Sequence, residues 1–218
     1  MTENNNSEIW VFLSHSNKEC EKVLNSESGS FFVNEHGVPH RYEPSVDNPY
    51  IEDESEKNAN YKFKTNKSIR TFIVPEGVKG FVSDFMRGIR IVERFELSDG
   101  LLNIGNNTHE ITDIDAHCVF ADCILPAAVI PDSLKEIGTF AFGHSYIDNL
   151  QLPESLHSPY GMQFKDSYIG ALMLPKVWKD GVSLGKDGEL QLNGWWFDND
   201  KYGYLRWPST KIGKMKFY

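Results

Sequence analysis

Residue types able to hold a metal ion crowd most densely at His109, Asp113, Asp115, His117, Cys118 and Cys123. Imidazole, carboxylate and thiolate are the ligands that zinc takes, four at a time in structural sites. The spacing here matches no zinc module, and the expectation is that no metal binds and that Cys123 is a packed part of the fold. Asp198, Asn199, Asp200 and Gly203 resemble the start of a calcium loop but lack its distal bidentate Glu, which leaves a turn. His36 and His40 stand four apart, yet Gly37 and Pro39 between them exclude the helix that would align them. Trp195, Trp196 and Tyr202, with Tyr204 and Trp207, offer aromatic faces that suit the apolar faces of pyranose rings; the alternative is that they cover one end of the fold. The chain shows no nucleophile–base pair, no paired carboxylates at helical spacing, no Gly-rich phosphate loop and no dinucleotide fingerprint. Neither a catalytic residue nor a cofactor is expected.

The elements that must position such residues are bounded first by size and charge. At 218 residues and 40% apolar content, the chain can form one sizeable domain with or without an appendage. Its net charge of −9 is uneven: residues 1–60 hold 12 acidic and 4 basic side chains, a net of −8, which leaves −1 for residues 61–218. A boundary near residue 60 follows, with an acidic segment 1–60, linker-like from Glu27 to Asn60, ahead of a neutral domain 61–218. Neither part carries the basic stripe that nucleic acid demands, and no apolar run approaches the roughly 20 residues that span a bilayer. The first eight residues have no basic or apolar leader region, and Cys20, Cys118 and Cys123 are too few and odd in number for a disulfide framework. A cytoplasmic location is the expectation.

Within residues 61–218 one short pattern is written repeatedly. Val129-Ile130-Pro131, Gln151-Leu152-Pro153 and Met173-Leu174-Pro175 place prolines 22 residues apart twice running. Earlier copies of this strand end fall at Val74-Pro75 and Leu97-Ser98, and a last one at Trp207-Pro208. The spacings are then 23, 33, 22, 22 and 33 residues, so two units carry insertions. A period near 22 predicts a solenoid with one short strand and one turn or helical turn per coil. Strand alternation sends the residues one and three before each anchor inward: Phe72 and Val74, Phe95 and Leu97, Ala128 and Ile130, Leu150 and Leu152, Leu172 and Leu174, Leu205 and Trp207. Ile104, Ile137, Phe120, Phe142 and Phe164 join them in the core.

The residues Ile130-Pro131-Asp132-Ser133-Leu134-Lys135-Glu136-Ile137-Gly138-Thr139-Phe140-Ala141-Phe142 resemble the BspA-like class of leucine-rich repeats. That pattern runs from an apolar residue and Pro through Ser-Leu, Ile-Gly and Ala-Phe to Cys, with Cys123 at the Cys position and Ser145 and Ser167 replacing it. The likeness departs at Phe81-Val82, where Ile-Gly is expected, at Pro159-Tyr160 and in the final insertion. It implies a β-rich leucine-rich-repeat solenoid over residues 61–218, and because a solenoid must cover its last open coil, the aromatic block near the C-terminus is expected to be its cap. After Pro175, Val182-Ser183-Leu184 and Glu189-Leu190-Gln191-Leu192 flank a Gly185-Lys186-Asp187-Gly188 turn and predict a hairpin.

The N-terminal segment opens differently. Ile9-Trp10-Val11-Phe12-Leu13 reads as a buried strand, and Ser16-Asn17-Lys18-Glu19 as a capping box starting a helix to about Asn25. Phe31-Phe32-Val33 predicts a strand, and the segment as a whole an α/β or irregular cap. Val11 to Glu19 also resemble the opening motif of Toll/interleukin-receptor (TIR) domains, whose first strand ends in a Ser-His-Ser turn. That likeness spans about 15 residues and implies a TIR-derived signalling or NAD-cleaving protein, but no alternation of strand and helix follows it.

Function is therefore expected on the outward strand face, two and four residues before each anchor: Thr71, Ile73, Arg94, Glu96, Ala127, Val129, Asn149, Gln151, Ala171, Met173, Tyr204 and Arg206. A non-catalytic module binding a protein through this face is the leading reading, against a face that only satisfies strand propensity. Carbohydrate binding or cell-surface adhesion through Trp195, Trp196 and Tyr202 is a second, and the TIR-derived protein a third.

Overall fold

A computed structural model describes residues 10–12, 22–33, 37–39, 67–81, 83, 85–105, 118–156, 162–192 and 207–218. Its principal sheet contains β4 (Lys67–Ile73), β5 (Ile89–Glu96), β7 (Ile124–Leu125), β8 (Ala128–Val129), β10 (Tyr146–Gln151), β11 (Tyr168–Leu174) and β14 (Lys211–Phe217). The order is β14-β11-β10-β7-β5-β4, with β8 beside β10, and every pairing is parallel. A small sheet holds β1 (Trp10–Phe12), β2 (Lys22–Ser26) and β3 (Gly29–Val33) in the order β1-β3-β2. Two-residue strands β6 (Asn103–Ile104) and β9 (Glu136–Ile137) form a second parallel pair, and β12 (Val182–Leu184) and β13 (Leu190–Leu192) form the predicted hairpin. Among the described residues the only helical element is a 3-10 turn at Lys176–Trp178.

The 22-residue period of the sequence is the register of the sheet. Leu150 pairs with Ala128 on one side and Leu172 on the other, Gln151 with Val129 and Met173. Identical positions of successive repeats therefore stack in columns. Phe120, Phe142, Phe164 and Trp207 form one, with ring centroids 5.4, 5.1 and 4.6 Å apart, and all four are buried. A second column follows each strand: the carbonyl of Pro75, Ser98, Pro131, Pro153 or Pro175 accepts the N–H of Val78, Leu101, Leu134, Leu156 or Trp178. All five donors carry buried apolar side chains. Proline suits the anchor because the strand ladder has ended there and its missing donor is not needed.

Tight turns set two further columns. Cys118, Phe140 and Met162 lie 22 residues apart at φ 57°, 57° and 71°, and Asp122, His144, Asp166 and Ser209 lie at φ 57°, 55°, 58° and 58°. Left-handed backbone costs a non-glycine residue about 1–2 kcal/mol. Hydrogen bonds between repeats offset it: the N–H of Asp122 donates to Gly143, that of His144 to Lys165 and that of Asp166 to Pro208. In the strands the backbones pinch at Gly170 and Gly213. A Cβ at Gly170 would sit 2.7 Å from the Asp148 carbonyl oxygen, and one at Gly213 2.7 Å from that of Gly170, so neither position has room for a side chain.

Two expectations are corrected. The helix drawn to about Asn25 is instead strand from Lys22 onward, because Lys22–Ser26 zips antiparallel onto β3 across the Glu27-Ser28 turn. Residues 13–21, which carry the TIR-like turn, lie outside the described residues, as do His36, His40, Pro159, Tyr160 and the stretch 193–206. The last strand anchor is not Trp207-Pro208. Trp207 occupies the phenylalanine column against Phe164, so its strand, β14, comes later and pairs Met215 with Leu172 and Phe217 with Leu174. Met215 and Phe217 thus hold the inward places assigned to Leu205 and Trp207.

The acidic segment contributes to the same core. Phe31 and Val33 are buried in it, with the Phe31 ring 5.9 Å from Phe72 and 6.5 Å from Phe85. Ser28 Oγ accepts the Ile73 N–H at 2.7 Å, and Gly37 accepts the Lys79 N–H. At the departure from the repeat pattern, Phe81 fills the isoleucine place: Leu102 donates to Lys79 as Lys135 donates to Leu102, which aligns Phe81 with Ile104 and Ile137.

Candidate functional site

The outward residues form two ladders along the sheet. In one, Thr71 pairs with Arg94, and Asn149 with Ala171, which pairs in turn with Lys214; in the other, Ile73 pairs with Glu96, and Val129 with Gln151, then Met173, then Lys216. Lys214 and Lys216 hold the places that the sequence reading gave to Tyr204 and Arg206, which lie outside the described residues. Exposure along the ladders is unequal. Arg94, Glu96, Val129 and Asn149 are exposed, Thr71, Ile73, Ala127, Gln151 and Met173 half-buried. Ala171 is buried at 4% exposure, because its small side chain lies between the longer Asn149 and Lys214 in register.

Charge is arranged differently at the two ends. Arg94 donates to Glu96 at 2.8 Å and to Glu27 at 2.9 Å, and the Glu96 hydrogen bond, with the Glu27 charge behind it, raises its already high pKa. Arg70 and Glu93 pair at 3.2 Å. These pairs are half exposed, so their net contribution is small. At the other end Lys214 and Lys216 project from β14, while Lys211 is held by Glu189 at 2.7 Å. Lysines on a terminal strand discourage edge-to-edge pairing. That edge is also covered in part, since the Ile212 N–H donates to Gly188 of the β12–β13 turn.

Of the suspected metal ligands, His109, Asp113, Asp115 and His117 lie outside the described residues. Among the described residues no group of three or more His, Cys, Asp or Glu is placed to hold a metal. Cys123 is fully buried, and its Sγ donates to the Met86 carbonyl at 3.0 Å. Burial pushes this thiol up to about 12. The folded state therefore favours the neutral thiol, and the stability this confers is complete below an ordinary thiol value of 9.0 and is lost as pH rises toward 12. Alkylation with iodoacetamide at pH 8, mapped by mass spectrometry, should leave Cys123 unmodified in the native chain and modify it once urea unfolds the protein. The calcium-like turn 198–200 and the proposed sugar platform Trp195, Trp196 and Tyr202 also lie outside the described residues.

Parallel strands, anchor prolines and a Cys/Ser column recur from repeat to repeat. Residues 112–180 match the family described as the BspA type leucine rich repeat region (6 copies). Neither the comparison with curated proteins nor that with solved structures found a match.

Proposed function

We propose that the chain is a leucine-rich-repeat solenoid that binds a partner protein through its outward strand face and performs no catalysis of its own. One observation carries this reading. The ladder Val129, Gln151, Met173 is uncharged and accessible, with Val129 56% exposed, while Arg94 and Glu96 lie at one end and Lys214 and Lys216 at the other. An uncharged centre with a charged rim is the arrangement of protein interfaces. The repeat match over residues 112–180 supports the same reading, since repeat proteins bind on such extended surfaces. Residues 22–33 and 37–39 then serve as the cover of β4, through Phe31, Val33 and Ser28, and residues 61–218 as the repeat domain.

The test is capture of partner protein on the immobilised chain, compared by quantitative mass spectrometry with its variants. Val129→Arg, at an exposed position, should abolish capture with a melting temperature within about 2 °C of the parent, since exposed substitutions change stability by about 0.5 kcal/mol or less, and Met173→Arg, at a half-buried one, should abolish capture at a cost of about 1 kcal/mol. Capture that survives both substitutions would overturn the proposal.

A further inference from the structure

The parallel ladder has one broken rung, and a cleft lies there. Where a strand ends, the N–H of the residue before the anchor donates to a carbonyl of the following strand: Val74 to Glu96, Ile130 to Gln151 and Leu152 to Met173. The equivalent bond, from Leu97 to Val129, does not form among the described residues. β5 meets β7 at a single pair, Arg90 with Ile124, whereas it shares six with β4. Pro126 and Pro131 bound the opposing segment and have no N–H to offer. The result is a cleft of about 440 Å³, inside the roughly 300–1,000 Å³ range of ligand sites.

Its walls differ in chemistry. Ala127, Val129 and the two prolines line it with apolar surface, and Glu93, Arg94, Glu96 and Asp99 with charge, three carboxylates and one guanidinium. Arg94 is committed to Glu96 and Glu27, and Glu93 to Arg70; Asp99 has no ion pair or hydrogen bond among the described residues. The surplus charge is thus negative and beside an unpaired backbone edge. An extended chain can satisfy such an edge with its own main chain, and a cation satisfies the carboxylates.

We propose that this cleft takes an extended segment of the partner protein in which a Lys or Arg side chain alternates with apolar ones. The cation enters toward Asp99 and Glu96, the apolar neighbours lie on Ala127 and Val129, and the main chain pairs with the free edge around Leu97. This rests on the strand-face reading, and its test separates the two. Random decapeptides displayed on phage are panned on the full chain, and the consensus peptide is synthesised and its Kd measured by fluorescence anisotropy. The expected consensus alternates apolar with basic residues. Asp99→Lys should weaken it at least about tenfold, a loss of roughly 1.4 kcal/mol. Ala127→Trp, which fills the cleft, should do the same, and Val177→Ala, exposed on the 3-10 turn and outside the cleft lining, should leave Kd within about twofold, with exposed Asp99 guarding against a folding artefact. Peptides that depend on Met173 and not on Asp99 would overturn the cleft while leaving the strand face standing. An acidic or charge-free consensus, or no enrichment, also overturns the cleft, and partner capture then judges the strand face alone.

Discussion

Phe120→Ala is expected to destabilise the fold by about 4 kcal/mol, the upper part of the range for a buried phenylalanine. The reason is its position as a hub. Phe120 is fully buried, and its ring lies 5.3 Å from Phe81, 5.2 Å from Phe95, 5.4 Å from Phe142 and 6.0 Å from Phe72. Three of these contacts are edge-on, at 70° to 85°, and that with Phe142 is stacked, so the rings interlock around it and cannot collapse into the space it leaves. Phe120 also joins the repeats before and after the first insertion. Phe140, twenty residues on, makes the control: it is half-buried on a left-handed turn, stacked on His144 at 6.5 Å with Lys165 Nζ 5.3 Å from its ring. Phe140→Ala should cost about 1 kcal/mol or less. Urea unfolding followed by tryptophan fluorescence measures both, and equal losses would mean that the aromatic column is not what joins the repeats.

Much of this was legible because the repeat writes its own geometry. The spacing of Pro131, Pro153 and Pro175 became the strand register, and the inward pairs from Phe72 to Leu174 reached the core, with Leu97 half-buried against it. The last strand was misread for a physical reason. Trp207-Pro208 copies the apolar-Pro signature of a strand end, but a tryptophan also fits the phenylalanine column, and only packing decides between them. The N-terminal helix failed similarly, since a capping box is local whereas β2 is held by its pairing with β3. Where the sequence was silent is the broken rung. Which backbone bonds fail beside an insertion depends on how far two strands are held apart, and no side-chain pattern records that. The proposed binding face was readable as an alternation, while the burial of Ala171 and the arrival of Lys214 and Lys216 on the face required the register.

The second large effect is expected where no apolar surface is lost. The column Cys123, Ser145, Ser167 and Thr210 lies beside the aromatic stack and ties each repeat to the previous one. Ser145 Oγ accepts the Cys123 N–H at 3.0 Å and donates to the Phe120 carbonyl at 2.9 Å. Ser167 repeats this with the Ser145 N–H at 3.1 Å and the Phe142 carbonyl at 2.8 Å, and Thr210 donates to the Phe164 carbonyl. Ser145 and Ser167 are both 0% exposed, so water cannot replace a lost partner. Ser145→Ala removes one oxygen and leaves a buried donor and a buried acceptor unpaired, each worth about 1–3 kcal/mol, so a loss of about 3 kcal/mol is expected. Ser145→Cys should recover part of it. Cys123 already makes the equivalent bond to Met86 with its sulfur, and a thiol donates weakly and is larger than a hydroxyl. Urea midpoints for the three chains should therefore fall in the order Ser, Cys, Ala. An alanine variant as stable as the parent would show that the hydroxyl column merely fills space, and the coupling between repeats would then rest on the aromatic column alone.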